Sequence, residues 1–268
     1  MRLDDYLHRI GVRGSPDATA DTLRRIHRAH RETFLFENLS IQTGGTISVA
    51  LPDIERKFLD QRRGGYCFEH NTLFASALAD LGIASTTLLG RVRRGPPAHR
   101  GRTHMVLRVP IGGALWLADV GFGAQSLIEP IPLEEDFTAE QLGVTYALRR
   151  DEHLWVLSAR DPTGTMDLYE FTEDPQTPAD VEIANHYTAT HPASVFRRTL
   201  TIQRVTADAR IALRGDMLVK HVGDRLLEER IDRAHLHRVV RDLFDIELPP
   251  GPFLYEMAAM SPAEPVWE

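Results

Sequence analysis

The sequence contains one cysteine, Cys67, in 268 residues. A single thiol excludes an internal disulfide and a zinc site built from several thiolates, so Cys67 is expected to be either inert and buried or reactive. Long apolar runs are absent too, since no stretch approaches the ~20 residues of a membrane span. Met1 is followed by Arg2, Asp4 and Asp5 rather than by an apolar signal sequence. We therefore expect a soluble, cytoplasmic protein.

Blocks of lysine or arginine are also missing, and 31 basic residues stand against 38 acidic ones, a formal net charge of −7. Affinity for nucleic acid depends mostly on positive charge, so nucleic acid is not expected as a partner. Hydrophobic residues make up 43% of the chain, enough for a sizeable core. At roughly 150 residues per domain the length predicts one or two structural units.

Apolar residues spaced three and four apart predict helices over the first 82 residues, with Thr19 or Asp21 capping the second and Cys67 opening the fourth. From residue 83 the period changes to two, which predicts a sheet. The predicted strands are 85–92, 103–109, 114–120, 145–149, 154–158, 168–171, 199–205, 208–213, 217–220 and 225–229. Residues 172–198 are expected to form a proline-containing loop, and 233–244 a final amphipathic helix.

Cys67 follows Arg63-Gly64-Gly65-Tyr66 and begins the fourth predicted helix. Free backbone N–H groups and the helix dipole favour an anion at such a position, which would lower the pKa of the thiol. A lone cysteine is, however, more often a small buried apolar residue. Both interpretations stay open on position alone.

A predicted hairpin brings two partners for a thiol together. The strands 103–109 and 114–120 flank Pro110-Ile111-Gly112-Gly113, and a symmetric two- or four-residue loop there places His104 directly opposite Asp119. Opposed residues on antiparallel strands point to the same face, so the imidazole and the carboxylate would touch. A bulge or a three-residue loop would change this register, and the plain alternative is a surface histidine beside an aspartate.

Together Cys67, His104 and Asp119 have the chemistry of an activated thiol nucleophile. A histidine within reach takes the thiol proton and returns it, and a carboxylate on the other ring nitrogen fixes the tautomer and supports the imidazolium. The sequence alone does not place the helix that carries Cys67 against the hairpin.

Residues 63–69 read Arg-Gly-Gly-Tyr-Cys-Phe-Glu and resemble the active-site motif R-G-G-x-C-x-E of the arylamine N-acetyltransferases. Other segments resemble motifs of that family in the same order. They are Phe36-Glu37-Asn38-Leu39, Thr103-His104, Asp119-Val120-Gly121-Phe122-Gly123, and the N-x-Y-x-x-T-x-P-x-S-x-F stretch from Asn185 to Phe196. The similarity spans most of the chain, and several motifs in one order are more specific than any single one.

The resemblance implies an α+β fold of the cysteine-protease-like superfamily in three parts. Residues 1–82 would form a helical bundle with the catalytic cysteine, residues 83–190 a β-barrel-like domain with the histidine and aspartate, and residues 191–268 an α/β lid. The implied reaction is ping-pong transfer of an acetyl group from acetyl-coenzyme A, through a thioester on Cys67, to an arylamine, arylhydrazine or N-hydroxyarylamine. Acetyl-coenzyme A would be a co-substrate, with no permanently bound cofactor, and a homodimer stays open.

The same resemblance implies that Phe36, Phe122, Gly123, Thr103 and Gly101 bind substrate. For the two phenylalanines ordinary core packing is an equal alternative. No metal site is expected, because the histidine pairs along the chain lack a third ligand at suitable spacing.

Several charged residues have plainer predicted roles. Glu37 and Arg63 lie in apolar or glycine-rich settings and are expected to pair. Five arginines near the Gly-Pro-Pro loop either meet the nucleotide end of coenzyme A or form a solvated surface; they are Arg91, Arg93, Arg94, Arg100 and Arg102. His70 departs from the family pattern, in which glutamine is more usual at this position.

Two other enzyme classes would use the same three side chains. A thiol protease or transglutaminase-like enzyme is one, and Gln61 precedes Cys67 where a papain-like enzyme keeps an oxyanion-hole glutamine. His104 nevertheless follows Cys67 far sooner than the roughly 130 to 150 positions typical of papain-like chains. The second is a macrolactam-forming amide synthase of the same superfamily, which differs in the size of its acceptor pocket. A non-catalytic binding module would form no covalent adduct.

Overall fold

The computed structural model describes residues 1–14, 16–93, 101–223 and 225–256. Its helices are α1 (Leu3–Arg9), α2 (Ala20–Thr33), α3 (Leu39–Gln42), α4 (Leu51–Glu55), which continues as a π-helical turn (Arg56–Asp60), α5 (Cys67–Asp80), α6 (Pro178–Thr190), α7 (Val195–Arg198) and α8 (Arg233–Phe244). The hydroxyl of Thr19 accepts a bond from the Thr22 N–H, so Thr19 caps α2 as predicted. Within the described ranges every helix is too short or too polar to span a bilayer.

The strands form two antiparallel sheets, which makes the fold α+β as expected. The larger sheet is barrel-like, with the strand order β5-β4-β3-β2-β9-β8-β7-β6. Its strands are β2 (Thr86–Val92), β3 (His104–Ile111), β4 (Ala114–Ala118), β5 (Ile131–Pro132), β6 (Phe137–Gln141), β7 (Val144–Asp151), β8 (Leu154–Asp161) and β9 (Gly164–Phe171). The smaller sheet has the order β1-β10-β11-β12-β13 and consists of β1 (Phe36–Glu37), β10 (Thr201–Val205), β11 (Ala209–Arg214), β12 (Met217–Val222) and β13 (Arg225–Arg230).

The register predicted for the β3–β4 hairpin is wrong by two residues. The strands are joined by Gly112-Gly113 alone, both glycines have positive φ (62° and 78°), and Ile111 faces Ala114. Two consecutive residues in this conformation form the tight hairpin turn that suits the twist of the strands. His104 therefore does not lie directly opposite Asp119, which follows the end of β4. Because side chains alternate with a period of two, the shift leaves both on the same face.

Helix α6 replaces the loop expected between the strands. It begins after Thr177, whose hydroxyl accepts a bond from the Asp180 N–H, with Pro178 in the first turn. The helix was missed because its buried side is mostly small or polar and leaves no apolar stripe in the sequence. The buried residues are Val181, Ala184, Asn185, Thr188 and Ala189. Strand β6 was missed as well.

The smaller sheet contains strands from distant parts of the chain. In β1, Phe36 and Glu37 pair with Gln203 and Ile202 of β10. The next residue, Asn38, is 1% exposed. Its amide group donates to the carbonyls of Phe196 (2.7 Å) and Thr199 (2.8 Å) and accepts from the N–H of Thr201 (2.7 Å). Asn38 thus joins the helical segment to the last third of the chain, and the predicted three-domain division stays a prediction.

Asn38→Ala is expected to lower the free energy of unfolding by about 2 kcal/mol, because it removes the side-chain partners of the Thr199 carbonyl and the Thr201 N–H, while the Phe196 carbonyl keeps the Gln42 amide. Urea unfolding followed by circular dichroism measures the loss. Ser40→Ala is the control, since it shortens a partly buried side chain on the neighbouring turn that makes none of these three bonds. Equal stability of the two variants would contradict this role of Asn38.

Candidate active site

Cys67 is the first residue of α5, as its position after the glycines predicted. It is 3% exposed, and its Sγ lies 3.7 Å from the carbonyl oxygen of Thr103. The preceding N–H, that of Tyr66, donates to the carboxylate of Glu69 (3.1 Å). The thiol therefore lies at the N-terminal, positive end of a capped helix.

The glycines before Cys67 are required by close approach. A Cβ on Gly64 would lie 1.8 Å from the carbonyl oxygen of Leu35, and one on Gly65 would lie 2.3 Å from the Glu69 carboxylate. The Gly65 N–H donates to the Leu35 carbonyl (3.2 Å), so this turn is held directly against the chain that enters β1. Only glycine fits without displacing the Leu35 backbone at the first position or the Glu69 side chain at the second.

The predicted pairing of Arg63 with Glu37 is confirmed. The guanidinium donates from Nε (3.0 Å) and Nη2 (2.7 Å) to Oε1 of the fully buried Glu37 carboxylate. Lys57 lies 3.7 Å from the same carboxylate and 2.7 Å from that of Glu69. Two cations thus balance two buried carboxylates beside the turn that carries Cys67.

His104 and Asp119 form a buried pair despite the change in register. Nε2 of His104 lies 2.8 Å from Oδ2 of Asp119, with the side chains 2% and 0% exposed. Burial lowers the pKa of His104, but the Asp119 carboxylate and a hydrogen bond with the Cys67 thiol outweigh it and raise the pKa to about 10. Burial likewise raises the pKa of Asp119, and the imidazolium outweighs it, so this pKa is lowered. The structure therefore brings all three predicted residues together.

Further donors hold the Asp119 carboxylate. Its Oδ1 accepts from the Gly121 N–H (2.8 Å) and from the amide of Asn71 (3.3 Å), one turn beyond Cys67 on α5. The backbone N–H of Asp119 donates to Nε2 of His27 (3.1 Å), whose Nδ1 donates to the Ile128 carbonyl (2.8 Å). Burial lowers the pKa of His27 to about 4, so the ring is neutral and Nε2 can accept.

A second buried chain of hydrogen bonds runs behind the cysteine helix. Tyr6 Oη lies 2.9 Å from His30 Nδ1, His30 Nε2 lies 2.9 Å from His70 Nδ1, and His70 Nε2 lies 3.0 Å from the Leu35 carbonyl. Because that carbonyl can only accept, His70 donates at Nε2, His30 donates to His70, and the tyrosine hydroxyl donates to His30. Both histidines are neutral in this order: burial lowers the pKa of His70 to about 3 and that of His30 well below its usual value.

The segment after Asp119 is held by two buried arginines that sequence reasoning missed. Arg31 donates to the carbonyls of Val120 (3.2 Å) and Gly123 (2.5 Å). Arg210 donates to the carbonyls of Ala124 (2.6 Å) and Ser126 (3.0 Å). A guanidinium can satisfy several carbonyls at once, which suits an irregular buried loop. No sequence signal separated these arginines from surface ones.

A cavity of about 460 Å³ opens onto the triad and is lined by Cys67 and His104. Four of the five residues predicted to bind substrate also line it: Phe36, Phe122, Thr103 and Gly101. The Phe122 ring meets the His104 ring edge-on, with centroids 4.8 Å apart. Gly123 lies outside this lining, buried, with its carbonyl bonded to Arg31.

One arginine of the predicted cluster is paired within the protein, and two others are not described by the structure. Arg93 is engaged by three carboxylates, those of Glu170 (2.6 Å), Asp167 (2.8 Å) and Asp151 (3.4 Å). Arg94 and Arg100 lie outside the described residues. Among the described residues no group of three or more His, Cys, Asp or Glu side chains could hold a metal ion.

The chain is similar to known proteins in sequence and in fold. A family model described as N-acetyltransferase matches residues 19–252. The arylamine N-acetyltransferase of Mycolicibacterium smegmatis is 38% identical over 242 residues, or 87% of each chain, and that of Escherichia coli K12 is 34% identical over 248 residues, 91% of this chain and 88% of the other. The solved structure of the Mycobacterium marinum arylamine N-acetyltransferase in complex with CoA is 32% identical with a TM-score of 0.86, covering 91% of this chain and 93% of that chain.

The neutral histidines give a prediction for stability against pH. His27, His30 and His70 have folded-state pKa values below the ~6.5 of an unfolded histidine. The unfolded chain therefore binds more protons below that pH, and each histidine lowers the unfolding free energy by up to about 1.4 kcal/mol per unit as the pH falls from 6.5 towards 4. The raised pKa of His104 acts in the other direction: its contribution is complete below pH ~6.5 and is lost as the pH rises towards 10.

Urea unfolding at pH 7, 6 and 5 measures this slope. The matched variant is His70→Leu, which removes one titrating group. It is expected to reduce the dependence of the unfolding free energy on pH by up to about 1.4 kcal/mol per unit, the contribution of one histidine. An unchanged slope in that variant would contradict the assignment of His70 as a buried neutral residue.

Proposed function

Because the chain belongs to the arylamine N-acetyltransferase family, we propose that it transfers the acetyl group of acetyl-coenzyme A to the nitrogen of an aromatic amine through a thioester on Cys67. The observation that carries this proposal is the placement of Cys67 and His104 at the wall of one cavity, with the fully buried Asp119 bonded to His104 behind that wall. Arylamines, arylhydrazines and N-hydroxyarylamines are the acceptor classes. Acetyl-coenzyme A acts as a co-substrate, since it is consumed in each cycle.

In the first half reaction His104 holds the proton of the thiol. Its Nε2 is bonded to Asp119, so Nδ1 is the nitrogen available to Cys67. The thiolate attacks the acetyl carbon of acetyl-coenzyme A, a C–S bond forms to Cys67, and the bond to the coenzyme sulfur breaks. The imidazolium returns its proton to the departing coenzyme thiolate. One thioester replaces another, so this step is nearly thermoneutral.

In the second half reaction the amine nitrogen attacks the acetyl carbon on Cys67. His104, now neutral, accepts the proton that the amine loses, and Asp119 stabilises the resulting imidazolium. The C–S bond breaks, the thiolate of Cys67 is restored, and the amide leaves. Formation of an amide from a thioester is downhill and drives the cycle.

The cavity suits a flat aromatic acceptor. Phe36, Phe122 and Phe196 line it together with the thiol, and aromatic rings pack favourably against one another. Cys67 is nearly buried, which keeps bulk water from the thioester. Location in the cytoplasm and assembly as a homodimer stay predictions.

A macrolactam-forming amide synthase and a protease-like thiol enzyme would use the same triad. Relatives that match most of the chain are named arylamine N-acetyltransferases, and this favours acetyl transfer over the other two reactions. Intact-protein mass spectrometry with acetyl-coenzyme A and no acceptor tests the choice. We expect one added acetyl group in the wild type and none in Cys67→Ala. A thiol that alkylates readily with iodoacetamide but accepts no acetyl group would contradict acetyl transfer and favour the amide synthase or the protease-like enzyme.

Asp119→Asn is expected to slow acetylation of Cys67 by roughly 10²- to 10⁴-fold at pH 7, because the imidazolium loses its carboxylate and the thiol keeps its proton. Quenched single-turnover mass spectrometry measures the rate. Asp4→Asn, at an exposed position of α1, makes the same chemical change away from the site and should match the wild type. A near wild-type rate for Asp119→Asn would remove Asp119 from the mechanism.

A further inference from the structure

The far wall of the cavity is formed by one face of the smaller sheet. Thr201 and Gln203 on β10 line the cavity, and Arg214, the cross-strand partner of Thr201 on β11, lines it too. The residues between them, Ile202 and Leu213, also pair with each other and belong to a hydrophobic core. Since side chains alternate along a strand, this pattern assigns the Arg214 side chain to the cavity face.

Arg214 gives the cavity its charge. Among the described lining residues it is the one permanently charged side chain, and that lining includes no aspartate or glutamate. His104 is the other basic group, and Asp119 already pairs with it. Arg214 also interacts with neighbouring groups of the protein, so a ligand would join or replace that interaction. An anionic ligand is therefore attracted to this wall and a cationic one is repelled.

The position of Arg214 separates it from the reacting atoms. Arg214 is exposed, whereas Cys67 is 3% exposed, and both line the same cavity. The cavity thus connects a solvent-accessible guanidinium to a buried nucleophile. A ligand in this cavity whose reacting atom meets Cys67 can therefore place its non-reacting part beside Arg214.

We propose that Arg214 binds an anionic group on the non-reacting part of a ligand whose reacting atom meets Cys67. This inference rests on the proposed function and adds a specificity residue to it. The planar guanidinium matches the geometry of a carboxylate or a phosphate and can donate two parallel hydrogen bonds to either. The anion has two sources: a carboxylate on the ring of the acceptor, away from the amine, or the phosphates of acetyl-coenzyme A.

Ping-pong kinetics separate the two sources. For such a mechanism kcat/KM for acetyl-coenzyme A reports the first half reaction alone, and kcat/KM for the acceptor reports the second alone. The experiment compares wild type, Arg214→Met and Arg214→Lys with two acceptors of similar shape, 4-aminobenzoate and the uncharged 4-aminobenzamide. Arg198→Met, which removes an exposed arginine of α7 outside the cavity lining, controls for the change in net charge.

If the acceptor supplies the anion, Arg214→Met lowers kcat/KM for 4-aminobenzoate by about tenfold, the effect of one hydrogen-bonded ion pair, and leaves 4-aminobenzamide unchanged. If the phosphates supply it, Arg214→Met lowers kcat/KM for acetyl-coenzyme A by a similar factor with both acceptors, most strongly at low salt. In either case Arg214→Lys retains part of the kcat/KM that Arg214→Met loses, because lysine keeps the positive charge but lacks the two parallel N–H donors of the guanidinium.

Rates for Arg214→Met that match wild type and Arg198→Met for both half reactions would overturn the role of Arg214. That result is distinct from failure of the proposed function. If the wild type formed no acetyl adduct on Cys67, acetyl transfer itself would be wrong, and this inference would fall with it.

Discussion

The buried ion pair between His104 and Asp119 is the constraint on which the site depends. An unpaired carboxylate at 0% exposure would lose several kcal/mol of solvation, so Asp119 must be compensated within the protein. The imidazolium, the Gly121 N–H and the Asn71 amide supply that compensation. Asn71 lies on the same helix as Cys67, so the amide that stabilises the carboxylate also holds the helix of Cys67 against the hairpin.

The four fully buried or nearly buried histidines of this region have opposite charge states for one physical reason. Burial lowers the pKa of each, and only His104 faces a carboxylate close enough to reverse that effect. His27 instead accepts a backbone N–H, and His30 and His70 pass hydrogen bonds along one direction to the Leu35 carbonyl. These three act as neutral connectors. They are able to orient Asp119 and the Gly65 turn without adding positive charge beside the His104 imidazolium.

The local parts of the site could be predicted from the sequence. The start of α5 at Cys67 follows from the glycines before it, and the contact between His104 and Asp119 follows from alternation in a hairpin. The register did not follow, because the two-residue turn is formed by Gly112-Gly113 and is not centred on the Pro110–Gly113 segment. The contact survived because an even shift preserves the face.

Long-range partners were beyond sequence reasoning. Arg31 and Arg210 have no local feature that distinguishes a buried arginine bonded to carbonyls from a surface one. Helix α6 lacks an apolar stripe, since polar Asn185 and Thr188 are on its buried side. The Tyr66 hydroxyl donates to the Asn185 side chain and so joins α6 to the turn before Cys67. The two residues are 119 positions apart, and no periodic pattern in the sequence indicates such a contact.

The triad and the proposed specificity residue Arg214 lie in different parts of the fold. The triad is positioned by α5 and the larger sheet, whereas Thr201, Gln203 and Arg214 of the smaller sheet form the facing wall of the cavity. One connection between them is β1. Phe36 lines the cavity and pairs with β10, and the Glu37 N–H donates to the Gly65 carbonyl (2.8 Å) two residues before Cys67. Substitution of the exposed Arg214 should therefore change which ligand is bound with little effect on the imidazolium–carboxylate pair, whereas Arg210 of the same strand holds the segment after Asp119. A triad that amide synthases and thiol proteases would also use is compatible with different substrates, because the proposed specificity residue Arg214 lies on a strand that carries none of the three triad residues.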